Sequence, residues 1–156
     1  MQPFTILKRF IQIALMTLLG LNFAAAQPRG ISVCKVQSTG NGSNVQFTNP
    51  YPPFNTFNVF AGVFNSTIDN NAAKMYCIDI RNNLVFNEVY NDSGFTPSKI
   101  TYVLNNYFPY KAHPYAGALG TKEKEAAAVQ LAVWHYSDGV DVNTVNVADI
   151  KTRALQ

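Results

Sequence analysis

The apolar residues of this chain change period near its middle, and that change restricts the fold more than any other feature. Up to about residue 80 the apolar and β-branched residues gather in short runs, 31–36, 45–48, 57–64 and 74–80. Gly, Asn and Pro clusters separate them, the pattern of strands joined by turns. From Thr96 onward the period is helical. Thr96 is placed to cap a helix whose first turn holds Pro97. Ile100, Val103, Leu104 and Tyr107 then recur at i, i+3, i+4 and i+7, and Asn105, Asn106 and Pro109 end the pattern. Beyond a Tyr-, Pro- and Gly-rich loop, Thr121 caps a second helix over about 122–136, which Ser137-Asp138-Gly139 stops. A third pattern starts near Val147, with Ile150 and Ala154 on one side. The expected fold is α+β in a single domain: an N-terminal strand-rich part, sandwich or barrel-like, followed by a helical part.

The first residues do not belong to that pattern. Lys8 and Arg9 precede an apolar run over 10–23, and Ala24-Ala25-Ala26 follow before Gln27, the three regions of a secretory signal peptide. The run falls short of the ~20 apolar residues of a membrane-spanning helix. Residues 1–26 are therefore read as a signal peptide and 27–156 as one domain, exported to the cell surface or secreted, with no membrane insertion after the signal is removed. The third helical pattern stops at Gln156, so the domain is open to truncation at its C-terminal end. Of the 12 basic residues against 9 acidic ones, two lie in the leader. The remainder nearly balances and gives nucleic acid little to attract.

Two cysteines, Cys34 and Cys77, survive removal of the leader. In an oxidising compartment an even count reads first as a disulfide. In the run 74–80, strand alternation sets Tyr76, Ile78 and Ile80 on one side and Met75, Cys77 and Asp79 on the other, with Cys77 mid-strand. On the second helix Ala126, Gln130 and Trp134 are spaced i, i+4 and i+8 beside Val129 and Val133. Gln130 thus projects from an apolar face, where an unsatisfied amide costs roughly 1–3 kcal/mol per group. A structural Gln bonded to backbone across the core is one solution.

Tyr76-Cys77-Ile78-Asp79 and Val129-Gln130-Leu131-Ala132-Val133-Trp134 together resemble the two signature segments of the Cys-Gln thioester domains of bacterial surface adhesins. The order matches, Cys first and Gln later on a helix, although Val129 stands where that family has Thr. The resemblance implies that 27–156 is a thioester domain. It implies further that the Cys77 thiol displaces ammonia from the Gln130 carboxamide to leave a thioester. That bond would capture a nucleophile covalently: a Lys amine of a surface protein, or an amine on a glycan or polyamine ligand. Tyr76 and Trp134 would shield the bond from water, and Asp79 would orient a nearby amide. His113 and His135 are candidates for proton transfer. No metal and no cofactor is implied, and the domain would react once rather than turn over as an enzyme. Two rival readings stay open: a non-covalent binding module stapled by a Cys34–Cys77 disulfide, and a hydrolase with Cys77 as nucleophile and His113 or His135 as base.

Overall fold

A computed structural model describes residues 32–51, 54–91 and 97–156. The proposed signal peptide and the Thr96 cap lie outside the described residues. Strands β1 (Val33–Tyr51), β2 (Phe54–Ile68), β3 (Asn71–Met75) and β4 (Val89–Asn91) form one antiparallel sheet in the order β3-β2-β1-β4. Helices α1 (Ser98–Asn106), α2 (Lys122–Asp138) and α3 (Ala148–Ala154) follow, with a single 3₁₀ turn at Val142–Thr144 between the last two. The α+β expectation holds. Among the described residues its strand-rich part is a single sheet rather than a sandwich or a closed barrel.

Two strands are much longer than their apolar runs. The stretch 39–44, Thr-Gly-Asn-Gly-Ser-Asn, carries every mark of a loop, yet it continues β1 and pairs with β2 from Phe60 to Phe64. Register shifts at Val36/Ser38 and Thr39/Gly42 break the ladder there, bulges that bend a strand. At the crossing Gly42 faces Gly62, and a Cβ on either would strike the other's Cα and the Phe60 ring. Phe60 lies over the glycine pair in place of their missing side chains. The β2–β3 turn is made by Asp69 and Asn70, both at positive φ (50° and 66°), a conformation Asx residues tolerate.

Helix α2 runs through the centre of the domain. Ten consecutive residues, Glu125 to Trp134, are buried. The run Ala126-Ala127-Ala128 and Val129, Leu131, Ala132 and Val133 are apolar on all sides because neighbours cover all sides. The sheet packs on one flank, α1 and α3 on others. Thr121 caps the helix by accepting from Lys124 N at 3.3 Å, and Gly139 ends it at φ 69°. Phe47 of β1 meets Trp134 edge-on at 6.3 Å, joining sheet to helix in the main core with Leu131, Val142 and Ile150. The chain past α2 also adds to the sheet: Val145 bridges to Phe47, and Asn146 N donates to Gln46 O. Residues 31–156 form one compact unit.

The sequence reading placed Cys77 mid-strand, and the structure corrects this. The ladder of β3 stops at Met75, and the residues from Tyr76 to Arg81 lie outside the described strands. Their alternation also breaks: Ile78 is 61% exposed while Ile80 is buried.

Candidate functional site

The backbone of this segment finds partners on α2. Cys77 N donates to Gln130 Oε1 at 3.0 Å, and Gln130 Nε2 donates to Cys77 O at 2.6 Å. The carboxamide of a fully buried Gln130 thus stands where a neighbouring strand would. Ile80 N donates to Asp138 Oδ2 at 2.9 Å, and Arg81 Nη2 to the Asp138 carbonyl at 3.1 Å. Gln130, Trp134 and Asp138 lie on successive turns of one face of α2, so a single stripe of the helix holds the whole segment. The two amide bonds satisfy Gln130 as a structural glutamine would be satisfied. Its partner, however, is the residue whose sulfur the thioester chemistry requires.

Cys77 Sγ donates to the Asp79 carbonyl at 3.0 Å. Burial pushes the Cys77 thiol above its ordinary range, and the Asp79 and Asp138 carboxylates add to that. The thiol faces a cavity of about 310 Å³ whose walls include Cys34, Phe64, Met75, Leu84 and Tyr90, with Asp79 and Asn82 also lining it. Cys34, also raised by burial, donates to Met75 Sδ at 2.9 Å. Both cysteines are free thiols, so the alternative of a Cys34–Cys77 disulfide is not the arrangement observed.

The supporting residues divide. Tyr76 is turned towards α1 and α2, packs beside Val103, Val129 and Val133, and donates its hydroxyl to the Phe108 carbonyl at 2.7 Å. Burial, with Glu125 and Tyr115 near, pushes its phenol far up. Trp134 is 1% exposed and lies in the core against which Cys77 packs. Asp79 makes local, structural hydrogen bonds. Its carboxylate accepts from Arg81 N at 2.9 Å and Asn82 Nδ2 at 2.5 Å, closing a turn, and the Asn82 bond above all holds it below the usual carboxylate range. His135 is exposed and uses Nδ1 against the Val140 carbonyl at 3.0 Å, fastening the end of α2. Neither it nor His113 lines the Cys77 cavity, so the structure does not bring them together with the thiol.

Two groups escaped the sequence reading. Asp138 was read only as part of a helix stop, although it continues the Gln130–Trp134 spacing by one more turn. Glu125, fully buried in the first turn of α2, accepts from the Tyr115 hydroxyl at 2.6 Å and from Leu119 N, with Arg153 Nε at 3.7 Å from its carboxylate. Nothing in its spacing separates it from a solvated first-turn acid. Among the described residues no cluster of His, Cys, Asp and Glu could hold a metal ion, and no helix is long and apolar enough to cross a membrane.

A segment fixed at both ends to one helix, a buried glutamine paired to a cysteine, and a cavity open to that cysteine define the site. Residues 74–155, more than half of the chain, match the family model for the thioester domain. The chain belongs to the thioester-domain family. No curated protein matches, and no solved structure does.

Proposed function

We propose that Cys77 and Gln130 form an internal thioester through which this domain captures an amine on a surface partner covalently. The observation that carries this is the two-point pairing of the Gln130 carboxamide with the backbone of Cys77. It holds the carboxamide against the residue whose thiol would attack it, and rigid placement of this kind is worth effective molarities of about 10⁵–10⁸ M. As sulfur adds to the Gln130 carbonyl, negative charge grows on Oε1, where Cys77 N–H already donates. That is the position of an oxyanion donor. The C–N bond breaks, the departing nitrogen takes up the proton given up by the thiol and leaves as ammonia, and the sulfur stays bonded to the acyl carbon.

Capture reverses the exchange with a different amine. A Lys amine, or an amine on a glycan or polyamine, attacks the same carbon. The C–S bond breaks, the new amide joins the partner to residue 130, and Cys77 is released as a thiol. The acyl group is consumed, so the domain is a binder that reacts once and not an enzyme. The apolar cavity at Cys77 and the burial of Gln130 limit the competing attack by water. With the leader read at residues 1–26, the domain acts outside the cell, secreted or at the cell surface.

Methylamine tests this directly. Incubation should add one methylamine to the thioester chain and expose one thiol to alkylation, whereas Cys77→Ala should take up none. Labelling of the alanine variant at the wild-type rate would refute the proposal.

A further inference from the structure

The indole of Trp134 is almost wholly buried, yet its Nε1–H has no hydrogen-bond acceptor. A donor in that position costs about 1–3 kcal/mol if it stays unpaired. Its place in the fold indicates what it awaits. Trp134 lies one turn beyond Gln130 on the same helical face, with the Phe47 ring edge-on against it and Cys77 packed against the same core cluster. With the thiol neutral, no regular bond is closed.

We propose that Trp134 is a catalytic residue of the thioester: its indole N–H donates to the Cys77 sulfur whenever that sulfur carries negative charge. The proposal rests on the thioester reading and assigns Trp134 a role beyond shielding. When an amine attacks the acyl carbon at position 130, the electron pair of the breaking C–S bond passes to sulfur. The attacking nitrogen loses a proton to solvent, and the products are an amide and a thiolate that is later protonated. The departing charge develops in a buried site with two carboxylates, Asp79 and Asp138, raising its energy. The Asp79 backbone and the Trp134 indole oppose them, drawing the ionisation of Cys77 back down. The backbone N–H of Cys77 serves the oxygen of the tetrahedral intermediate, and the indole N–H serves the sulfur. The acyl centre is then held by two separate donors, one for each atom that takes up charge. In the forward direction the same bond stabilises the thiolate that first attacks the carboxamide.

The test removes the N–H and keeps the ring. Trp134→Phe is made in a Cys34→Ala background, alongside an isostere in which the indole is replaced by benzothiophene, which has sulfur in place of the N–H. Methylamine uptake is followed by intact mass, and ionisation of the released thiol by the pH dependence of iodoacetamide alkylation. A hydrogen bond to a charged group predicts uptake slowed by about tenfold or more, and a thiol that ionises at least about one pH unit higher. Should Trp134→Phe fail to fold, the isostere decides. Unchanged thiol ionisation in the isostere overturns the proposal, even if uptake slows, because a purely structural role would slow the reaction without moving that ionisation. Failure of the thioester reading itself would be read separately, as no ammonia loss and no methylamine uptake in the Trp134 parent.

Discussion

Cys77 illustrates how one side chain can be inert and reactive by turns. Its thiol donates to a carbonyl, is half-buried and lies near two carboxylates; the burial and the carboxylates favour the neutral form and oppose the low-pKa thiolate of cysteine hydrolases. Reactivity in the proposed scheme comes from placement instead. A testable consequence follows for the form opened by methylamine, in which the thiol is free. A thiol raised on folding contributes stability that is complete below its ordinary value, 9.0, and is lost as pH rises through the folded value. The stability of the opened chain minus that of Cys77→Ala should therefore fall as pH rises past the ordinary thiol value of 9.0, as measured by urea unfolding. Cys34, Tyr76 and Tyr115, also raised, are present in both proteins and cancel. A difference that stays flat would show that Cys77 is not held neutral by the fold.

At the scale of elements, the site depends on a segment that has the sequence of a strand without being one. The alternation through Ile78 and Ile80 made 74–80 legible as a strand, but the strand ends at Met75 and the chain bends at Ile78 and Ile80. What pattern alone does not reveal is where the ladder ends, because the donors of Cys77 and Ile80 are met by Gln130 and Asp138, side chains some 50 to 60 positions away. The polar stretch 39–44 was misread for a similar reason: it is held in β1 by the facing β2 strand, and its glycines, loop signals in isolation, permit the close crossing at Gly62. Gly62→Ala should destabilise by about 1–3 kcal/mol, the cost of overpacking, because its Cβ would meet the Asn41 carbonyl and Gly42 Cα. An unchanged midpoint in urea would contradict that packing. The residues of the Cys-Gln pair were legible because two short motifs occur in order. The absence of a histidine partner was not, since helical spacing fixes only that His135 turns from Gln130.

The whole domain places its sheet, its central helix and its later helices around the proposed Cys77–Gln130 cross-link. Glu125 joins the loop at Tyr115 and Leu119 to α2, and Arg153 joins both to α3. Removing one member of a buried charged network leaves the others uncompensated, so Glu125→Ala should cost about 3–5 kcal/mol. It should also speed hydrolysis of the thioester, since Tyr76, next to Cys77, lies near Glu125 and Tyr115 of this network. Loss of stability with an unchanged lifetime of the cross-link would confine Glu125 to a structural role. The central claim concerns that cross-link, and the intact mass of the purified mature chain tests it most directly. A Cys77–Gln130 thioester predicts a mass lower than the calculated one by a single ammonia, restored to the full value in Cys77→Ala. A wild-type chain at its full calculated mass, or one lighter by only two hydrogens, would contradict it.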